Sequence, residues 1–267
     1  MPIFAANLRY LFTELEFLER FEAAARVGFR GVEYQYPYAE NLPRIKRKLR
    51  ECDLAMVLIN FWPGDFAAGD RGLACIPARR DEFREHVDQA LTLAREIGCR
   101  RLNCLTGVVP PGVSRDQWYR TLADNLAYAC EAFAPYGMQV LLEPMNTHDV
   151  PGYCLNTSAQ TRALIKDVGA ANLGLLYDLY HMQIMEGDLA RNIEANLDII
   201  RHIQIADNPG RNEPGTGEIS FSFIFELLDQ VEYEGWVSCE YTPSNGTYQS
   251  IDWVRPYLFA RSLPIDD

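Results

Sequence analysis

Four short apolar runs decide the fold: Met138-Gln-Val-Leu-Leu-Glu143, Asn172-Leu-Gly-Leu-Leu-Tyr-Asp178, His202-Ile-Gln204 with its continuation to Asp207, and Gly235-Trp-Val-Ser-Cys-Glu240. Each run has the length and apolar content of a strand that is buried on both faces, as in a parallel sheet. Each run also ends at or near a side chain that can bind a ligand. The C-terminal half is therefore predicted to place four polar groups at neighbouring strand ends.

The whole chain repeats this alternation of a strand and a helix. The predicted strands are residues 3–7, 31–35, 54–60, 101–105, 140–143, 172–178, 202–206 and 236–240. Apolar spacing and capping residues predict helices near residues 15–25, 42–52, 83–97, 114–133, 157–168, 189–197 and 221–230, and residues 251–260 close the chain. Eight parallel strands with crossover helices most simply form an α/β fold, a single (β/α)8 TIM barrel, as one domain over residues 1–267.

An open, doubly wound sheet is the alternative fold. It would need a glycine-rich nucleotide-binding turn after the first strand, and Asn7-Leu-Arg-Tyr10 contains no glycine. Two local features are also predicted. Thr13 and Glu16 have the spacing of a capping box before the first helix. The connection over residues 61–78 is long enough to be a functional lid over a site.

The composition restricts the partners. With 25 basic and 37 acidic residues the formal charge is −12, which argues against broad contact with nucleic acid or anionic membranes. No apolar stretch approaches the roughly 20 residues that span a bilayer, and no secretory signal is visible. The seven cysteines form no C-x-x-C pair and are interpreted as reduced, mostly buried thiols. A soluble, cytoplasmic protein is expected.

The four strand ends carry Glu143, Asp178, Gln204 and Glu240. In a barrel the carboxyl ends of parallel strands gather on one face, about 4.8 Å apart between neighbours. A buried carboxylate is unfavourable unless it is paired, so four such ends in succession suggest a shared cation. A single strand-end acid is usually a helix cap or a surface group, but the recurrence favours a ligand set. Three carboxylates and an amide oxygen suit Mg²⁺ or Mn²⁺ better than Zn²⁺.

Two carboxylates beside one cation fit a proton transfer next to a carbonyl group, in which one carboxylate removes a carbon-bound proton and the other returns it. Schiff-base chemistry is poorly supported because the lysines, Lys46, Lys48 and Lys166, fall in helix-like segments. His181 follows Asp178 by three positions and is either structural or faces a substrate. Arg211 is either solvated or binds a substrate carboxylate with two hydrogen bonds.

Several motifs together resemble the hydroxypyruvate isomerases of the xylose-isomerase-like barrel superfamily. They are Leu142-Glu-Pro-Met-Asn146, Tyr177-Asp-Leu-Tyr-His181, Gln204-Ile-Ala-Asp-Asn-Pro-Gly-Arg211, Glu213-Pro-Gly-Thr-Gly-Glu218 and Cys239-Glu-Tyr241. The resemblance also covers Gly28-Phe29, Gly31-Val-Glu33 and the glycine-rich turns between Asn60 and Gly72, so it extends over nearly the whole chain.

The resemblance implies interconversion of hydroxypyruvate and 2-hydroxy-3-oxopropanoate. It implies that Glu143 and Glu240 are the acid–base pair and that Asp178 and Gln204 join them around a divalent cation, Mg²⁺ or Mn²⁺. By the same resemblance, His181 and Arg211 face the substrate. Superfamily relatives that epimerise sugars commonly have histidine in the place of Gln204, so the requirement for the cation stays open. His148 matches no motif and is interpreted as a loop residue.

Other functions stay open at this stage. The substrate could be a related small 2-oxo acid such as 2-oxo-tetronate, or a ketose that is epimerised at carbon three. A phosphodiester hydrolase resembling abasic-site endonucleases would need a histidine-rich zinc site, and the chain has only four histidines. A non-catalytic binding protein would not need the acidic set. Aromatic residues such as Tyr36, Tyr38 and Trp253 either pack a homo-oligomer or are ordinary surface residues.

Overall fold

The computed structural model describes residues 1–258, and in it eight parallel strands form a closed barrel in sequence order. The strands are β1 (Ile3–Asn7), β2 (Gly31–Glu33), β3 (Ala55–Asn60), β4 (Arg101–Asn103), β5 (Gln139–Leu142), β6 (Leu173–Asp178), β7 (Ile200–Ile205) and β8 (Trp236–Cys239). Pairing between β8 and β1 closes the sheet. The predicted (β/α)8 barrel is therefore confirmed.

The helices lie between the strands. Within the described part of the chain they are α1 (Phe17–Val27), α2 (Leu42–Glu51), α3 (Arg80–Ile97), α4 (Arg115–Phe133), α5 (Ser158–Val168), α6 (Leu179–Met185), α7 (Leu189–Asn196), α8 (Phe221–Gln230), α9 (Thr247–Ser250) and α10 (Arg255–Leu258). Ser114 and Gln117 form a capping box at α4, and Thr157 caps α5. Residues 259–260 of the predicted closing segment, and the domain's last seven residues, lie outside the described residues.

Two helix predictions were wrong or incomplete. The Thr13–Glu16 capping box does not form, because α1 begins later, at Phe17, after a tight turn that follows β1. Within that turn the backbone N–H of Leu11 donates to the Asn7 carbonyl. Helix α6 was not predicted, since seven residues are too few to show clear periodicity. It begins directly after Asp178, whose carboxylate accepts the N–H of Tyr180 at 2.9 Å.

The barrel interior is plugged below its carboxyl-end opening. Five strand residues form a small apolar cluster, against which Trp236 packs: Ala5, Val57, Leu58, Leu141 and Leu176. A Cβ at Gly31 would lie 2.6 Å from the Trp236 ring, so only glycine leaves space for that ring. A larger apolar cluster fills the layer between the barrel and the helices. Buried polar residues lie at or near the carboxyl ends of all eight strands, and His202 and Ser238 are buried within β7 and β8.

Other sequence features can be placed directly. All seven cysteines are free, and six of them are buried. Within residues 1–258, no helix has the length and apolar content required to cross a bilayer. The aromatic residues considered for an oligomer face pack inside this chain instead: Tyr38 donates to the Asn60 carbonyl, and Trp253 stacks on Phe225. They give no indication of oligomeric state, which stays a prediction.

Candidate active site

Strand register brings the predicted site residues to one opening of the barrel. Asp178 on β6 pairs with Gln204 on β7. Glu143 directly follows β5, and Glu240 directly follows β8. All four side chains belong to buried residues that are at most 7% exposed. The predicted strand-end cluster is thus present, although the two glutamates lie one residue beyond the strands rather than within them.

One part of the opening, called here the Glu143 side, consists of Asn103, Glu143, Asp178 and His181. Ligand atoms of Glu143, Asp178 and His181 all lie within 4.8 Å of one another. The His181 Nε2 is 3.6 Å from a Glu143 oxygen and 3.6 Å from Asp178 Oδ2. Asn103 donates a hydrogen bond to Glu143 Oε2 at 2.6 Å. Asp178 Oδ2 is buried and accepts no hydrogen bond. This side has few donors for its two carboxylates.

The other part, called here the Glu240 side, consists of Asn7, Glu33, Gln35, Gln204, Arg211 and Glu240. Glu240 Oε2 accepts hydrogen bonds from three side-chain amides, at 2.8 Å from Asn7, 2.8 Å from Gln35 and 2.5 Å from Gln204. Its Oε1 accepts from Arg211 Nη2 at 2.9 Å. Glu240 is therefore held by donors on both of its oxygens.

Arg211 joins the two sides. Besides its ion pair with Glu240, its Nη2 lies 3.7 Å from Asp178 Oδ2. The guanidinium carbon lies 5.5 Å from the ring centroid of Tyr10 and 4.9 Å from that of Tyr180, within cation–π range. The Arg211 Nε is buried without a hydrogen-bond acceptor. Arg211, which was predicted to face the substrate, thus donates a hydrogen bond to Glu240, and its Nε–H has no acceptor.

The opening contains more buried carboxylates than cations. Burial, together with the charges of Glu240 and Asp178, raises the pKa of Glu143 well above its usual value. Burial also raises the pKa of Glu240, against the opposing effect of Arg211, and raises that of Glu33 to about 7. Bound protons or a bound cation would stabilise such a group of buried carboxylates by reducing its negative charge.

His181 has a defined tautomer. Its Nδ1 lies 3.3 Å from the backbone nitrogen of Asn146 and 2.7 Å from that residue's side-chain nitrogen. A backbone N–H can only donate, so Nδ1 accepts and the ring proton is on Nε2. Burial lowers the pKa of His181 to about 4, which keeps the ring neutral. The Nε2–H therefore points toward Glu143 and Asp178 as a donor, and cannot at the same time be a metal ligand.

The remaining atoms fit a small, oxygen-preferring cation. Asp178 Oδ2 and Gln204 Oε1 are both buried and have no hydrogen-bond partner. Buried unpaired oxygens are unfavourable, and a divalent cation would satisfy them. Gln204 turns its amide nitrogen, not its oxygen, toward Glu240. Ligand atoms of Glu143 and Asp178 lie within 4.8 Å of each other, and the participation of Gln204 and Glu240 in a ligand set stays a prediction.

Several site residues were missed from the sequence. Asn7, Glu33, Asn60 and Asn103 are the final residues of β1 to β4, and all are buried. The signal was present, because the pattern of a polar strand end used for the C-terminal half applies equally to the N-terminal half. His202, mid-strand on β7 and fully buried, gave no comparable signal.

The long connection covers part of the opening. Phe66, in its exposed turn, packs edge-on against Tyr36, with ring centroids 5.2 Å apart. The guanidinium of Arg71 stacks on the same Phe66 ring at 4.8 Å. Tyr36 in turn lies 3.3 Å from the Asn60 side chain at the end of β3. The position agrees with the predicted lid, whose function stays a prediction. His148 is an exposed loop residue, as expected.

Known proteins are similar to this chain in sequence and in fold. A model of the xylose isomerase-like TIM barrel family matches residues 21–257. The chain belongs to this family. Hydroxypyruvate isomerase of Escherichia coli (strain K12) is 46% identical to this family member, over 95% of this chain and 98% of that protein. A 2-oxo-tetronate isomerase of Cupriavidus necator is 44% identical, over 97% and 99%.

A solved structure is similarly close to this member of the xylose isomerase-like TIM barrel family. The crystal structure of AP endonuclease, family 2 from Brucella melitensis is 44% identical, with a TM-score of 0.94, and the match covers 96% of this chain and 99% of that one. The resemblance to hydroxypyruvate isomerases is confirmed by the names of the curated relatives. The name of the solved structure instead corresponds to the hydrolase alternative.

Proposed function

We propose that this protein is an isomerase that interconverts hydroxypyruvate and 2-hydroxy-3-oxopropanoate by transferring a proton between adjacent carbons. The observation that supports this most directly is the pair of buried glutamates, Glu143 and Glu240, on opposite sides of one opening. Burial and their mutual repulsion raise the pKa of Glu143, and burial raises that of Glu240. A raised pKa brings a carboxyl group closer to the neutral range in which general acid–base catalysis is efficient.

In the proposed reaction one glutamate removes a proton from the hydroxymethyl carbon of hydroxypyruvate, which gives an enediol. The other glutamate delivers a proton to the former carbonyl carbon. As the double bond shifts, the hydroxyl proton on the oxygen of the original hydroxymethyl carbon is lost, and the oxygen of the original carbonyl carbon gains one. Atoms and charge therefore balance. The reverse direction exchanges the roles of Glu143 and Glu240.

We propose that Glu143, Asp178, Glu240 and the Gln204 oxygen hold Mg²⁺ or Mn²⁺. When bound, such a cation polarises a carbonyl and stabilises negative charge on oxygen. The unpaired oxygens of Asp178 and Gln204 support this assignment. Oxygen donors alone suit these hard cations better than Zn²⁺.

His181 and Arg211 are proposed to orient the substrate. The Nε2–H of His181 is available to donate to a substrate oxygen, since Nδ1 already accepts from Asn146. The buried Arg211 Nε has no acceptor in the protein and suits the carboxylate of a 2-oxo acid. A ketose has no carboxylate to fill that position, so the epimerase alternative is less well supported.

A 2-oxo-tetronate isomerase is the second candidate, because one relative with that name is 44% identical over nearly the whole chain. The same proton transfer would serve both substrates. We expect the higher kcat/KM to identify the substrate when purified protein is assayed with hydroxypyruvate and with 2-oxo-tetronate under the same conditions. Nicking of abasic DNA, without turnover of either acid, would instead favour the hydrolase alternative.

Proton NMR of hydroxypyruvate in D₂O with the purified protein and Mn²⁺ or Mg²⁺ tests the mechanism. We expect product formation together with solvent deuterium at the substrate carbons. Glu143→Gln and Glu240→Gln are each expected to lower turnover by about 10²- to 10⁴-fold, the usual effect of removing a general acid–base group. Glu186→Gln is the matched control, because this half-buried glutamate bonds to Ser158 away from the site. Full activity in both site variants would disprove the mechanism.

A further inference from the structure

Glu33 is a buried carboxylate outside the predicted ligand set. It ends β2 and is only 1% exposed. Its Oε1 accepts hydrogen bonds from Asn7 Nδ2 at 2.6 Å and from Gln204 Nε2 at 2.8 Å. Its Oε2 lies 2.9 Å from Nε2 of His202, which is fully buried. Glu33 is thus fixed by three side chains from β1 and β7.

The same two amide groups also reach Glu240. Asn7 Nδ2 and Gln204 Nε2 donate to Glu240 Oε2 at 2.8 Å and 2.5 Å. An amide NH₂ has two hydrogens, and here one is directed to each glutamate. Asn7 and Gln204 therefore bridge Glu33 and Glu240, and neither amide has a hydrogen left for another acceptor.

This bridging fixes the direction of both amide carbonyls. The Asn7 oxygen accepts the backbone N–H of Arg9 at 3.0 Å. The Gln204 oxygen is buried and has no hydrogen-bond partner. Without an acceptor at Glu33, the Gln204 amide would keep only its hydrogen bond to Glu240, so the direction of its oxygen would be fixed by one contact instead of two.

We propose that Glu33 is a positioning residue, which orients the Asn7 and Gln204 amides so that Glu240 is held in place and the Gln204 oxygen faces the opening. The proposal rests on the proposed function, in which Glu240 transfers a proton. His202 supports Glu33 from the opposite side as a neutral donor. Glu33 does not touch the reacting atoms, so its effect is exerted through Glu240.

Glu33→Gln tests this role, because glutamine keeps the size of glutamate but loses its charge and one of the two acceptor oxygens that contact Asn7, Gln204 and His202. Isomerisation is expected to fall about 10- to 100-fold, typical of losing a residue that orients a functional group. In D₂O, exchange at the carbon served by Glu143 should persist while conversion falls. The ratio of deuterium exchange to conversion is measured twice, starting from hydroxypyruvate and starting from its product. In Glu33→Gln this ratio should change in the same direction as in Glu240→Gln. It should change in the opposite direction in Glu143→Gln.

A general structural defect would lower exchange and conversion equally, so a slower Glu33→Gln variant with the wild-type ratio would overturn the proposal. A Glu33→Gln variant with both the wild-type isomerisation rate and the wild-type ratio of exchange to conversion would overturn the proposal as well. Glu33→Asp keeps the carboxylate but shortens the side chain, and a smaller change in the same ratio is expected from it. This variant also serves if Glu33→Gln does not fold. Glu186→Gln is the control for a glutamate-to-glutamine change away from the site.

A second measurement does not depend on activity. In the cation-free protein, the side-chain amide NMR signals of Asn7 and Gln204, assigned by their loss in Asn7→Ala and Gln204→Met, should both shift in Glu33→Gln. Unchanged signals would disprove the bridging role. If Glu143→Gln and Glu240→Gln retain turnover, the proposed function fails, and the amide signals still decide whether Glu33 orients these groups.

Discussion

The two sides of the opening contain similar acids in different surroundings. On the Glu143 side, Glu143 accepts one side-chain amide hydrogen bond and Asp178 leaves one oxygen unpaired. On the Glu240 side, Glu240 accepts hydrogen bonds from three amides and one guanidinium. The carboxylates of the first side are short of donors, whereas both carboxylate oxygens of Glu240 have donors on the second side.

This difference corresponds to two requirements of the proposed proton transfer. A group that exchanges ligands or protons benefits from unsatisfied oxygens, while a group that must be aimed at a carbon benefits from fixed donors. The Glu143 side meets the first requirement, and the Glu240 side meets the second. Each of the following predictions tests whether that division holds.

Among the effects that should differ between the two sides, the largest is expected for cation binding at the Glu143 side. Asp178→Asn keeps the helix cap but removes one negative charge from the proposed cation site, so Mn²⁺ affinity should fall about 100-fold. His181→Gln should change Mn²⁺ affinity little, because glutamine can supply an N–H in place of the Nε2–H. Calorimetric titration with Mn²⁺ measures both. Equal losses in the two variants would show that His181 is a ligand after all.

The next effect is on the pH dependence of that affinity. The pKa values of Glu143 and Glu240 are raised, so these groups bind protons at pH values where ordinary glutamates are ionised. A cation must displace those protons, and its affinity should therefore rise with pH, by about tenfold per pH unit for each proton displaced. Titrations between about pH 6 and about pH 8 measure the slope. A flat profile would contradict the raised pKa values, and Glu143→Gln should give a shallower slope than wild type.

The smallest effect is on the stability of the cation-free protein. Glu143→Gln removes a poorly solvated acid and supplies an NH₂ near the unpaired Asp178 oxygen, so the free energy of unfolding should be unchanged or higher. Glu240→Gln leaves donors facing an NH₂ group, which should lower that free energy by about 1–3 kcal/mol. Urea unfolding with chelator present, with Glu186→Gln as control, measures the difference. Equal changes in both variants would remove the distinction between the sides.

The barrel and the C-terminal half of the site could be predicted because strand length and polar strand ends are local patterns. Glu143, Asp178, Gln204 and Glu240 were found in this way. The hydrogen bonds that distinguish the two sides could not be predicted, because they join residues far apart in sequence. Asn7 and Glu240, for example, are 233 positions apart. The Gln204 amide nitrogen that donates to Glu240 also donates to Glu33, a residue that strand patterns alone do not connect to it.

Within residues 1–258, every strand has a buried polar residue at or within one position of its carboxyl end, above the apolar plug that includes Leu141 and Leu176. The apolar residues that pack the barrel interior and the polar residues at the candidate site are therefore arranged in successive layers. A substitution such as Gln204→His changes the upper layer alone. New catalytic specificities can arise on this scaffold without redesign of the packing that keeps it folded.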